Sequence, residues 1–242
     1  MQRVRTSDHA WGTRVELCAP ERRNALDQKA VADLTEAFAA VGSGAVLLSA
    51  QGPVFCAGGD LEVLSRAAQT GGLVDLLVTA AAAFADLVES IVACPRPVVV
   101  AVDGPAVGGG ACLALAGDVR LATSRARCDL AWGRHGLPPD GGATALLAAL
   151  LGPAEAAVLL AESARLPADS DVGTRLFTGV VPADRLEEES LAAASHATKR
   201  PDAAALLADL RRQREAELAA LARAAADDVT GGRLAVLYKI DT

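Results

Sequence analysis

No Cys-x-x-Cys pair occurs in this chain, and its five cysteines, Cys18, Cys56, Cys94, Cys112 and Cys128, are odd in number. That pattern argues against a zinc site or a disulfide framework and fits reduced thiols in a cytoplasmic protein. The first residues, MQRVRTSDHAWG, lack the apolar block of a secretory leader. Basic patches are missing as well: 23 Lys and Arg stand against 30 Asp and Glu, a net charge of -7. Phosphate backbones, RNA included, and anionic membrane surfaces need the opposite balance, so no nucleic-acid and no membrane partner is expected. The longest nearly uncharged run, LVTAAAAFADLV, contains Asp86 and is followed by Glu89. It reads as a buried or interface helix rather than a membrane span. Neither G-x-x-x-x-G-K-[ST] nor a G-x-G-x-x-G opening a helix after the first strand is present, which disfavours a nucleotide site.

Apolar residues are abundant at 52% of 242 residues, enough for a large packed core. TRVELCA alternates apolar and polar residues and reads as a strand. The following segment, 22–41, reads as a helix with Asp27 as N-cap and Ala30, Val31, Leu34, Ala37, Phe38 and Val41 on one face. AVLLSA is a short buried strand, and QGPVFCAGGDLEVL turns the chain into a second helix. After Gly71–Gly72 a long helix runs to about Ile91. RPVVVAVDG, DVRLAT and RCDLAW are further strands, GRHGLPPDGG is a loop, and the chain beyond Leu186 is almost wholly helical. Strands alternating with helices give an α/β fold, with no visible repeat and no linker that would split the core.

Two stretches send a strand through a glycine turn into a helix: FCAGGDL at 55–61 and AVGGGACL at 106–113. A helix start leaves its amides unpaired and slightly positive, and glycine bares them to a ligand oxygen. Two such turns facing each other would offer two N–H donors to one oxyanion, as a thioester carbonyl requires on becoming an enolate. The plainer alternative is that these glycines serve close packing alone.

RRNALD, GPVFCAGGDL, AVDGPAVGGGACLALAGDVRLAT and GLPPDGGAT occur in the order and spacing of the crotonase (enoyl-CoA hydratase/isomerase) superfamily. The chain resembles that family from Thr13 to Gly152, with a weaker echo in GGRLAVLYK. The resemblance implies a crotonase-type spiral of ββα turns over residues 1–186, carrying the acyl-thioester site. It implies a C-terminal helical trimerisation region over residues 187–242, and a homotrimer or dimer of trimers. By the same resemblance, the amides of Gly59 and Gly109 form the oxyanion hole. The coenzyme A, or a carrier protein's phosphopantetheine, is part of the substrate; no separate cofactor or metal is implied. Arg23 matches a position that contacts coenzyme A phosphates, with Arg22 assisting, and the Ala57 carbonyl matches one that reads the adenine amino group.

The chain departs from the family's hydratases at two positions. Where they carry a pair of glutamates to hold and ionise water, this sequence has Cys112 and Trp132. A thiol and an indole cannot divide acid and base work between them as two carboxylates do. Cys112 is expected to fill the pocket wall and Trp132 to pack there or line it. Asp140 matches a position where some isomerases of the superfamily place a catalytic acid, and burial beside Trp132 would raise its pKa; the alternative is that Asp140 caps the next helix. One base suffices for a 1,3-proton shift, so enoyl-thioester isomerisation is the expected chemistry. Decarboxylation of an acyl thioester and a catalytically silent acyl-CoA-binding homologue are the alternatives. The Trp132–Asp140 spacing also resembles that of 4-chlorobenzoyl-CoA dehalogenases, but Ala85 stands where they carry a histidine base. His135 is a candidate proton donor, and Glu62 a candidate at the pocket entrance. Asp60 and Asp118 read as structural.

Overall fold

The computed structural model describes residues 2–237. Its strands, in chain order, are β1 (Val4–His9), β2 (Gly12–Leu17), β3 (Ala45–Ala50), β4 (Val98–Val102), β5 (Pro105–Val107), β6 (Val119–Ala122), β7 (Arg127–Asp129), β8 (Arg165–Pro167) and β9 (Gly179–Val180). The helices are α1 (Gln28–Ala39), α2 (Leu61–Thr70), α3 (Leu73–Ala93), α4 (Gly109–Ala116), α5 (Ala143–Leu151), α6 (Pro153–Ala161), α7 (Gly173–Leu176), α8 (Leu186–His196), α9 (Ala203–Ala225) and α10 (Asp228–Leu237). Six strands form one sheet in the order β1-β2-β3-β4-β6-β9, and β5-β7-β8 form a smaller second sheet. β1 and β2 are an antiparallel hairpin; β3, β4, β6 and β9 each add in parallel.

The central strands β3 and β4 are largely apolar because both faces of the sheet are covered there. Side chains alternate between faces. Val46 and Leu48 of β3, with Val98, Val100 and Val102 of β4, enter the main core beneath α1, α3 and α4. Ala45 and Leu47, with Val99 and Ala101, face the other way onto Leu186 and Ala194 of α8. At the start of α1, the Asp27 carboxylate accepts the Ala30 N–H at 2.8 Å and the Arg3 guanidinium at 2.8 Å, so the expected cap also ties down the first strand. α3 is long and apolar enough to cross a membrane, yet Leu77, Phe84, Val88 and Ile91 on one side of it are buried against the rest of the chain. α9 lies along α3 and against α5, and α10 along α2.

Several elements differ from the sequence expectation. β1 was not anticipated, because only Val4 of its six residues is buried and no apolar alternation marks it. α1 starts at Gln28, directly after its expected cap Asp27, and residues 20–22 ahead of it form a short 3-10 turn. RCDLAW is strand only through Asp129; Trp132 already begins a 3-10 turn, Trp132–His135. β5, β8, β9 and α7 are too short for periodicity to reveal. Of the GGRLAVLYK echo, Tyr238 and Lys239 lie outside the described residues.

Asp118 carries the structural role expected of it. Its buried carboxylate accepts the Val98 N–H at 2.7 Å, the Lys199 ammonium at 3.0 Å and the Arg200 N–H at 2.9 Å. These bonds join the start of β4 to the α8–α9 connection. Asp118→Ala strands two amides and a cation, and is expected to cost about 3 kcal/mol. The check is a lower urea midpoint with an unchanged slope.

Candidate active site

Two glycine turns lie side by side because the chain segments that carry them pair like strands. Val107 donates to Cys56 O at 2.9 Å, and Cys56 donates to Pro105 O at 3.2 Å. The approach is close enough to require glycine. A Cβ on Gly58 (φ +77°) would lie 2.4 Å from Val107 O and 3.4 Å from Gly109 N; one on Gly110 would lie 2.4 Å from Cys56 O. Next to these contacts, the N–H groups of Gly59 and Gly109 donate to no main-chain carbonyl among the described residues. Gly109 is the first residue of α4, where an unpaired amide also carries the positive end of the helix dipole.

Gly59 and Gly109 both line one cavity of about 760 Å³, walled mainly by apolar side chains of α1, α2 and α3. Phe84 and Leu26 stand over Gly109: each would come within 3.2 Å of a Cβ placed there. Asp140, Trp132 and His135 also line it.

Asp140 does not cap α5, whose N-cap is Gly142 without a side-chain bond. Its Oδ1 instead accepts the Trp132 indole N–H at 2.7 Å. The indole thus lies near Gly108, 4.0 Å from where a Cβ on that residue would stand, and reaches the carboxyl. One side of the Asp140 side chain faces the cavity and protein encloses the rest. Enclosure pushes its pKa above the ordinary carboxylate value, with the indole N–H acting in the opposite direction. The result is a carboxyl that ionises reluctantly, a useful property in a group that takes a proton and gives it back.

Cys112 sits behind this wall rather than in it. It is buried on α4, outside the cavity lining, and its Sγ donates to the Asp140 carbonyl at 3.6 Å. Burial and the nearby carboxylates push its thiol well above the usual value, so it is no thiolate. Burial and the Arg134 charge lower the His135 pKa. Ala85 is buried in the packing of α3 and is not part of the cavity wall. Glu62 is directed elsewhere: on the exposed side of α2 it pairs with Arg66 at 2.7 Å, and it is absent from the cavity lining. Asp60 caps α2 through the N–H groups of Glu62 and Val63 and forms a close ion pair with Arg22. Arg22 is thereby engaged within the protein. Arg23 is exposed and makes no ion pair among the described residues; its carbonyl accepts the Ala57 N–H at 3.0 Å. The Ala57 carbonyl accepts no main-chain hydrogen bond among the described residues, and Ala57 lines the cavity.

One ionisable group near the site escaped the sequence reading. Glu217 of α9 accepts the Gly142 N–H at 3.0 Å, directly behind Asp140. Its signal was a carboxylate on the buried stripe of α9, where Leu210 and Leu221 flank it at helical spacing.

A sequence model of the enoyl-CoA hydratase/isomerase family matches residues 13–230. A probable enoyl-CoA hydratase of Mycobacterium tuberculosis is 36% identical over 201 residues, 76% of each chain. The 1,2-epoxyphenylacetyl-CoA isomerase of Escherichia coli is 33% identical over 186 residues, 75% of this chain and 71% of that one. A probable enoyl-CoA hydratase of Mycobacterium bovis is 35% identical over 64% of this chain, and the match spans 61% of that relative's length. The crystal structure of an enoyl-CoA hydratase from Bacillus halodurans superposes with a TM-score of 0.83, covering 96% of this chain and 98% of that one at 24% identity, which establishes the fold. Sequence match, fold and paired glycine turns agree: the chain belongs to the crotonase superfamily, in the enoyl-CoA hydratase/isomerase family.

Proposed function

We propose that the protein isomerises an enoyl thioester, moving a double bond between the 3 and 2 positions by a single proton shuttle. Asp140 takes a proton from the α carbon, and the electron pair passes onto the thioester oxygen. The N–H groups of Gly59 and Gly109 stabilise that oxyanion. Asp140 returns the proton to the γ carbon, and the carbonyl re-forms with the double bond moved. Nothing is consumed and no water is added.

The observation that carries this reading is that Asp140 lines the same cavity as the Gly59 and Gly109 amides, which donate to no main-chain carbonyl among the described residues. Of the other carboxylates in that wall, Asp27 and Asp60 cap helices and pair with Arg3 and Arg22, Asp86 pairs with Arg214, and Glu36 is exposed. By resemblance, a thiol and an indole stand where a hydratase holds its glutamates. The sequence similarity to an isomerase of an aromatic CoA thioester agrees with it. Arg23, exposed beside Ala57, is the proposed contact for the phosphates of coenzyme A or phosphopantetheine, and the Ala57 carbonyl for the adenine amine. The homotrimeric or hexameric assembly of relatives, through the C-terminal helices, is proposed by resemblance alone.

The test is incubation with 3-enoyl, 2-enoyl and glutaconyl-type thioesters in deuterated water. Double-bond migration with deuterium at the α or γ carbon is expected, without a 3-hydroxyacyl product. A 3-hydroxyacyl product would overturn the isomerase reading in favour of hydration, and released carbon dioxide in favour of decarboxylation. Silence on all three, with a saturable thermal shift by coenzyme A, would mark a binding protein.

A further inference from the structure

Glu217 has no part in the reaction above, yet it holds the chain two residues past the base. Leu206, Leu210, Leu221 and Ala225 form the buried stripe of α9, and Glu217 occupies a position on that stripe where another leucine would pack. Its Oε2 holds the Gly142 N–H at 3.0 Å, two residues past Asp140. Thr144 is also within hydrogen-bonding reach of the carboxyl, which the protein largely encloses. A largely enclosed carboxyl is a costly feature for a residue that only packs. The segment it grips has no slack. Gly141 and Gly142 are both left-handed, and a Cβ on Gly142 would lie 2.1 Å from Leu210 Cδ2. From the opposite side the Cys112 thiol meets the Asp140 carbonyl.

We infer that Glu217 is a positioning residue for the proposed base: it fixes the 140–142 segment through Gly142 and, by gaining or losing its own proton, sets how strongly Asp140 holds a proton. The inference rests on the Asp140 reading given above.

Few other charges face this pair. α5 brings Thr144 and no ionisable group. α4 brings the Cys112 thiol, which burial keeps protonated. On α3, Asp86 and Glu89 are held by Arg214 and Arg211 of α9. The 3-10 turn at 132–135 brings His135 and Arg134, the latter paired with Asp129, and α10 brings Arg233 close to Gly136. Burial pushes Glu217 up to about 7, the Asp140 charge adds to the rise, and the Gly142 N–H and Thr144 oppose it. Glu217 therefore gains and loses its proton near neutral pH, close to an Asp140 whose own pKa burial has raised. Ionising Glu217 places a second negative charge beside Asp140 and makes it the stronger base.

Glu217→Gln keeps an oxygen for the Gly142 N–H and cannot ionise. The Trp132 indole N–H resonance reports the charge on Asp140 without turnover, since it donates directly to that carboxyl. In the wild type this resonance is expected to titrate in two steps, the upper near pH 7; in Glu217→Gln the upper step disappears. The pH profile of kcat loses the matching inflection, and the rate above it falls about threefold, the direction expected when a general base loses a neighbouring negative charge. Identical indole titrations in the two proteins overturn the inference. If Glu217→Gln does not fold, the carbon-13 shift of the wild-type Glu217 carboxyl decides instead. It is expected to titrate near 7 and to move down in Asp140→Asn; no movement overturns the coupling. Failure of the Asp140 reading looks different: Asp140→Asn would retain turnover while Glu217→Gln still altered the indole titration.

Discussion

Asp140→Asn is expected to lower kcat by about 10²- to 10⁴-fold, the range over which a positioned general base contributes, while leaving KM nearly unchanged. The substitution is close to isosteric, and the new amide oxygen still accepts the Trp132 indole N–H that Asp140 accepts at 2.7 Å. Shape and packing of the cavity wall are therefore kept; the proton acceptor is lost. Stability should move the other way. Folding raises the Asp140 pKa by burial, so the folded state favours the protonated form. A raised carboxyl contributes its full stability below the unfolded value of 3.8 and loses it as pH climbs through the folded value. An asparagine has no such loss, so at neutral pH the variant should be at least as stable as the wild type. Lower turnover with an equal or higher melting temperature is the signature of a group held ionisable for chemistry. Turnover that survives Asp140→Asn shows that the base lies elsewhere.

The parts of the site that a reader of sequence recovers are those dictated by local backbone geometry. Gly58 and Gly110 announce themselves because no other residue allows a strand-to-helix turn to approach a second chain segment at the distances found around Cys56 and Val107, and Gly59 and Gly109 lie beside them. The sheet is equally legible: AVLLSA and PVVVAV are apolar at all but Ser49 because helices cover both faces, and the alternation then sorts their side chains into two cores. Asp27 as a cap follows from local hydrogen bonding. Features set by long-range partners are not readable in this way. β1 exists because β2 offers it a free edge, not because VRTSDH has a pattern of its own. Asp140 could be placed in a loop that favours turns, but its partner was ambiguous until the indole and the N-cap of α5 were located. Glu62 follows a glycine turn in sequence, yet the phase of α2 sends it to solvent and Arg66. Glu217 lies 75 residues from the Gly142 amide that it holds. Only the packing of α9 against α5 joins them.

Gly109→Pro tests the other half of the proposed chemistry, and Gly109→Ala is its control. Gly109 is the first residue of α4, the helix position that proline tolerates best, since its N–H has no intrahelical acceptor. Gly108 before it has no Cβ to clash with the proline ring and lies outside the α region (φ 52°, ψ -120°), which eases the usual restriction on a residue that precedes proline. Both variants put the same Cβ 3.2 Å from Leu26 Cδ1 and Phe84 Cε1, the ends of side chains that can yield. They therefore share any cost of crowding, and they differ in the amide. Alanine keeps the N–H; proline deletes it and sets a methylene where the thioester oxygen would sit. Loss of one oxyanion donor costs about 10²- to 10³-fold in kcat, so the proline variant is expected to fall at least that far below the alanine variant. Melting temperatures of the two should be close, because the Gly109 N–H donates to no main-chain carbonyl. Equal kcat in the two variants would mean that the Gly109 amide never touches the reacting oxygen. The paired glycine turns would then be a packing device, and the enolate would need another source of stabilisation.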